Sequence, residues 1–212
     1  MVGLCFHEFC HAIVAYMGGD HTVRKNGYLL MDITKYTSLV QSIIVPVAML
    51  LLGGIGLPGG AVFVRHDLLR NRVWESAVSA AGPLSGLLVA LIFSRPFHYI
   101  SERDIFTGPH QLFYYALGFA SFFMVTSTLI NLIPLPPLDG FGVVEPWLPA
   151  PIKEWLNRPN VMNILSIVST LSIFLLFWQI PGVTNFISGI TLQMGVPKWV
   201  VGQGLKNFKF LT

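Results

Sequence analysis

Residues 39–57, 74–93, 113–133 and 161–180 form four apolar stretches of nearly unbroken hydrophobic sequence. At ~1.5 Å rise per residue, about 20 helical residues cross the hydrocarbon core of a bilayer, and these stretches meet that length. Only 11% of the 212 residues are charged and the mean hydropathy is +0.66. A soluble domain carries about a quarter charged residues, so the apolar solvent here is lipid. The expectation is an all-α polytopic membrane protein, a bundle of about five to six transmembrane helices. Its length fits one domain over 1–212, with a core of 1–150 and C-terminal helices in 151–212. It is expected to be a multi-pass protein of a bacterial cell membrane or an organelle membrane, with the lipid bilayer as its surroundings.

A fifth apolar stretch, residues 1–17, ends at Gly18, Gly19 and Asp20, a plausible helix stop. It is too short to cross, which implies about ten further apolar residues upstream. It is also a poor signal peptide, having no basic leader and carrying His, Glu and His in its apolar region. Residues 53–64 are dense in glycine with Pro58. Irregular backbone at membrane depth survives only in protein or beside a wet cavity, so a glycine-rich loop and short strand near a site is expected. An ordinary interfacial turn is the alternative. The tail, 181–212, is read as an amphipathic helix on the interface or a partial crossing. Trp147, Trp155, Trp178 and Trp199 stand near segment ends, where aromatic belts form.

The net charge of +3 comes from 13 basic residues scattered between apolar segments. No basic run interleaved with aromatics exists, which excludes a nucleic-acid partner. Basic residues split five against five between the two sides, so orientation and oligomeric state are not legible. Cys5 and Cys10 lie on different faces of one helix and are read as packing residues.

The chemistry lies in His7-Glu8-Phe9-Cys10-His11, which fits H-E-x-x-H. Positions i and i+4 share a helix face, so both imidazoles reach one tetrahedral zinc. Glu8 is placed to act as general base on a zinc-activated water. Two histidines and a carboxylate on an apolar helix are costly without a partner, and metal binding supplies one. A structural metal or a satisfied polar cluster is the alternative.

A catalytic zinc takes three protein ligands and keeps an open position. His21, His66, His98 and His110 all lie in loops and read as solvated. Asp20, Asp32, Asp67, Glu75, Glu102, Asp104, Glu145 and Glu154 lie in polar connections or at their edges. Asp139 differs. It ends Asn131-Leu132-Ile133-Pro134-Leu135-Pro136-Pro137-Leu138-Asp139, where three prolines break the helix and free a side chain to cross the bundle. Asp139 is the expected third ligand, with a structural turn as the other reading. Asn131 is a candidate substrate or oxyanion contact, or alternatively caps carbonyls freed by Pro134. Gly82-Pro83-Leu84-Ser85-Gly86 suits close helix contact first and a substrate groove second.

Together H-E-x-x-H, Ala80-Ala81-Gly82-Pro83-Leu84-Ser85-Gly86 and N-x-x-P-x-P-P-L-D-G form an ordered set. The chain resembles the site-2 protease family of intramembrane zinc metalloproteases, in a compact bacterial-type branch without PDZ or CBS domains. Gly27-Tyr28-Leu29-Leu30-Met31-Asp32, Pro58-Gly59-Gly60-Ala61-Val62 and Leu69-Arg70-Asn71 extend the likeness across roughly residues 3–150. The resemblance implies His7, His11 and Asp139 on Zn2+, Glu8 as catalytic base, and Asn131 at a substrate contact. It places residues 53–64 where the family has a membrane-embedded strand beside the substrate. Two departures stand out: Gly86 replaces a common asparagine, and Phe141 replaces a frequent second glycine.

The function implied is a zinc metalloendopeptidase cutting peptide bonds in or near transmembrane segments of membrane-protein substrates. A scaffold that keeps the fold but cleaves nothing would be favoured by loss of Glu8, which is present. A metal transporter would show repeated halves or ionisable residues along its spans. This chain concentrates them at one locus.

Overall fold

The computed structural model describes residues 2–36, 62–156, 158–179 and 181–208. The second apolar stretch, 39–57, and most of the glycine-rich segment lie outside the described residues. Those described form eleven α-helices and no strand. They are α1 (Val2–Gly18), α2 (Thr22–Lys25), α3 (Ile33–Tyr36), α4 (Arg72–Ser94), α5 (Glu102–Thr107), α6 (Gln111–Asn131), α7 (Asp139–Val144), α8 (Ala150–Leu156), α9 (Val161–Gln179), α10 (Pro181–Gln193) and α11 (Lys198–Phe208). Two helices, Arg72–His98 and Gln111–Asn131, are long and apolar enough to cross a membrane, and Val161–Ile173 is a shorter apolar helix. α4 leaves Leu84, Leu88, Leu91 and Ile92 exposed, an apolar strip suited to lipid.

The chain divides into two compact units, the first spanning 1–85 with 129–176 and the second 86–128 with 177–212. In the first, α1 buries Glu8, His11, Ala12, Ala15 and Gly18, a stripe at spacings of three and four. Ala12 and Ala15 pack with Val23, Leu69 and Val78, and their small size lets α4 come close. The predicted stop after α1 is a Schellman motif. Gly19 takes φ 122°, while its N–H bonds the Tyr16 carbonyl and the Asp20 N–H bonds the Ala15 carbonyl. That turn sends the Asp20 side chain inward. Residues 62–65 run beside α1 outside any helix, Val62 and Val64 packing inward and Phe63 77% exposed. Beyond them, Arg65 is hydrogen-bonded to Asp67 and holds that carboxyl below the usual carboxylate range.

In the second unit the helix α11 packs against α6. Val196, Val200 and Val201 are buried, and Val200 packs over Gly118 of α6. The Trp199 indole N–H donates to Glu102 at 3.2 Å. His98, predicted to be a solvated loop residue, hydrogen-bonds the Met194 carbonyl at 3.0 Å. Gly204 faces the Phe119 side chain and the Tyr115 carbonyl, where a Cβ would stand at 2.7 and 2.8 Å, whereas a Cβ on Gly202 meets nothing within 4 Å. Gly204→Ala is therefore expected to destabilise by about 1–3 kcal/mol through overpacking. Gly202→Ala should be neutral or stabilise by up to about 1 kcal/mol through helix propensity. Thermal unfolding in detergent compares the two.

Candidate metal centre

The centre is built within the first unit from α1, α4 and α7. On α1, His7 and His11 stand one turn apart with their Nε2 atoms 3.1 Å from each other. Asp139 opens α7. Its Oδ2 is 3.1 Å from His7 Nε2 and its Oδ1 3.4 Å from His11 Nε2. Zinc bonds of about 2.0–2.2 Å at tetrahedral angles put ligand atoms about 3.3–3.6 Å apart. The two histidines face different oxygens of one carboxylate, and one donor atom from each of the three side chains lies within 4.8 Å of the others, which makes them the group among the described residues able to hold a metal.

Tautomer chemistry makes the same point. His11 Nδ1 is 2.6 Å from the Val78 carbonyl, which can only accept, so Nδ1 carries the proton. The neutral ring then directs the Nε2 lone pair at a carboxylate oxygen and at another ring nitrogen. A metal ion between them, or a second proton on the ring, satisfies that contact. A histidine whose far nitrogen donates to a backbone carbonyl is oriented as metal-ligating histidines are. Asp139 remains 24% exposed, so the centre is open to water.

The approach of α4 to α1 depends on Gly82. A Cβ there would overlap His11 Nε2 and lie 2.6 Å from Cε1 of both histidines. The Gly-Pro motif thus packs directly against the histidine pair. Gly86, four residues on, faces the Thr128 hydroxyl, which a Cβ there would meet at 2.6 Å. On the approach to α7, Pro134 removes the N–H that would bond the Ile130 carbonyl, which instead accepts from Ile133 at 3.0 Å. The peptide bond between Pro136 and Pro137 is cis. Gly140 lies against the Leu132 and Ile133 carbonyls, where any Cβ would collide. Phe141 closes the first turn of α7 by donating to the Leu138 carbonyl at 3.0 Å, so the departure at this position is accommodated.

Glu8 is 5% exposed, and its Oε2 accepts from the Val62 N–H at 3.1 Å. Asp20, placed by sequence among polar connections, is fully buried and anchors the same segment. It accepts from the Arg65 N–H at 2.8 Å and the Thr22 N–H at 2.9 Å, and also from the Thr22 hydroxyl. Two carboxylates from the α1 region thus hold residues 62–65 in place. Asn131 is half-buried in the last turn of α6, and among the described residues its amide reaches neither histidine nor Glu8. Cys10 stands outside the donor cluster.

Fold and site together describe a helical protein with a candidate metal site at an HExxH motif. The "Putative zinc metalloprotease Rip2" of Mycolicibacterium smegmatis is 38% identical over 162 residues, 73% of this chain and 60% of that protein. The protein of the same name from Mycobacterium tuberculosis is 37% identical over 148 residues, 70% of this chain and 55% of that protein. "Putative zinc metalloprotease YwhC" of Bacillus subtilis is 31% identical over 164 residues, 74% of this chain and 71% of that protein. The chain belongs to the site-2 protease family. It spans a little over half the length of the mycobacterial relatives. No protein-family profile matches it, and no solved structure does.

Asp20→Ala leaves buried N–H donors unpaired and is expected to cost about 2–4 kcal/mol. Asp20→Asn keeps an acceptor and should cost less. The fall in Tm in detergent measures both.

Proposed function

We propose that the chain is a zinc-dependent intramembrane endopeptidase that hydrolyses peptide bonds in or near transmembrane segments of membrane proteins. The observation that carries this reading is the convergence of His7, His11 and Asp139, whose facing nitrogen and oxygen atoms lie 3.1–3.4 Å apart, with the buried Glu8 carboxylate beside them. His7, His11 and Asp139 would hold the ion. When bound, zinc supplies Lewis acidity to a water molecule and to the scissile carbonyl.

The remaining steps belong to the chain's own groups. Glu8 takes the proton of the attacking water and returns it to the leaving amide nitrogen. Its Oε2 is held by Val62, so Oε1 is the oxygen that carries the proton. The Val78 carbonyl keeps the His11 ring in its ligating tautomer throughout. Asn131 is retained as a candidate contact to the substrate backbone.

Depth supports the intramembrane reading. Val78 and Gly82 stand six and ten residues into α4, which begins at Arg72, placing the centre about 9–15 Å from that helix's end. With the Arg72 end of α4 at a bilayer surface, that depth would fall within the hydrocarbon thickness, which favours the intramembrane reading. A helical substrate hides its carbonyls in i to i−4 hydrogen bonds and must be drawn out to be cut. Residues 62–64, which lie outside any helix beside Glu8, are the segment that would offer its backbone for such pairing. α4 and α6 are long and apolar enough to cross a bilayer, and α9 carries a shorter apolar run, which supports a multi-pass reading.

The test compares wild type with Glu8→Gln in detergent, on a model transmembrane substrate, with zinc content measured alongside. The variant is expected to keep zinc while cleavage falls about 10²–10⁴-fold. Equal cleavage by both would overturn the mechanism. Gly82→Ala, which removes no ligand, is expected to lose zinc because its methyl occupies the place of the histidine rings. A zinc content unchanged in that variant would contradict the close packing of α4 against the histidine pair.

A further inference from the structure

We infer that Ser76 of α4 is a positioning residue for the third ligand, its hydroxyl setting where α7, and with it Asp139, stands against the two histidines. The inference rests on the reading of His7, His11 and Asp139 as the metal ligands.

Six residues are too few for a helix to hold its own place, so α7 is located by what it touches. Its start is fixed by Gly140 against the Leu132 and Ile133 carbonyls. Midway, Gly142 faces Ser79, where a Cβ would lie 3.1 Å from Ser79 Cβ. Near its end, the Val143 carbonyl is among those a last turn cannot satisfy internally. It accepts from the Ser76 hydroxyl at 2.7 Å. The same hydroxyl accepts from the Trp147 indole N–H at 2.8 Å. Donating to one partner and accepting from another, the Ser76 hydroxyl has no rotational freedom left. Trp147 belongs to the turn Glu145–Trp147 that follows α7, and Lys153 of α8 donates to the Pro146 carbonyl there at 2.9 Å.

Two residues further along α4, the Val78 carbonyl orients His11. Positions 76 and 78 differ by about 3 Å along the helix axis. The histidine pair on α1 and the carboxylate on α7 are therefore both registered on one turn of α4. Without the Ser76 hydroxyl, α7 keeps its contact at the Asp139 end but loses the tether at the other. The carboxylate then has a range of positions instead of one.

The experiment measures zinc affinity of the full chain in detergent by competition with a chromophoric chelator. The variants are Ser76→Ala, Ser76→Thr, Trp147→Phe, Asp139→Ala and the double variant Ser76→Ala/Asp139→Ala. Ser76→Ala is expected to weaken zinc about 10–100-fold, in the range of other residues that orient ligands. Ser76→Thr keeps the hydroxyl and restores affinity, and Trp147→Phe weakens it less than Ser76→Ala does. In the Asp139→Ala background Ser76→Ala adds no further loss, because both act through the same ligand. The visible absorption of the cobalt-substituted Ser76→Ala protein should move toward that of Asp139→Ala. Wild-type affinity in Ser76→Ala, or the same fold loss with and without Asp139, overturns the inference while leaving the three-ligand site standing. Wild-type affinity in Asp139→Ala overturns the third-ligand reading, and the role of Ser76 falls with it. Should Ser76→Ala fail to fold, unchanged zinc affinity in Trp147→Phe overturns the inference instead.

Discussion

The centre depends on how closely α1 and α4 approach. Their contact brings two imidazoles against a glycine and presents the Val78 carbonyl to His11 Nδ1 at 2.6 Å. Any side chain at position 82 would push the rings away, and with them the lone pairs that face Asp139. Ala12 and Ala15 keep the same seam narrow further along α1. Close packing of small residues is how helices associate where lipid removes the usual hydrophobic drive. The seam that lets the helices pack also sets the position of the donor atoms.

From that contact the other parts acquire their places. The Schellman stop at Gly19 turns Asp20 beneath the helix, where it grips residues 62–65. Those residues return the Val62 N–H to Glu8. The prolines after α6 redirect the chain so that Asp139 meets the histidines, and contacts to α4 fix the short helix it begins. The centre thus draws on distant parts of the sequence, yet every contact runs through α1, α4 or a segment held by one of them.

Much of this is legible in sequence because it is local. His7, Glu8 and His11 declare themselves by spacing, and α4 and α6 by apolar length; the observed ends, Arg72–Ser94 and Gln111–Asn131, fall within two residues of the predicted stretches. Asp139 stands out because proline chemistry has no other obvious purpose beside an apolar span. What is not legible is what partners supply. Asp20 looks like any loop carboxylate until the turn at Gly19 buries it. Ser76 is one of many serines, and the Val78 carbonyl and Val62 N–H are backbone groups that no residue type announces. Position 82 reads as a close helix contact, but its spacing does not say that histidine rings are what it meets. The docking of α11 likewise depends on Gly118 and Gly204 finding Val200 and Phe119, a match between segments far apart in the chain.

The most direct test is X-ray absorption spectroscopy at the zinc edge of the zinc-loaded full chain, purified in detergent. The expected result is one zinc per chain with a first shell of nitrogen and oxygen alone, at about 2.0–2.2 Å, including two imidazoles. A sulfur scatterer at about 2.3 Å would bring Cys5 or Cys10 into the shell. That result, or a single imidazole, would contradict a centre built from His7, His11 and Asp139.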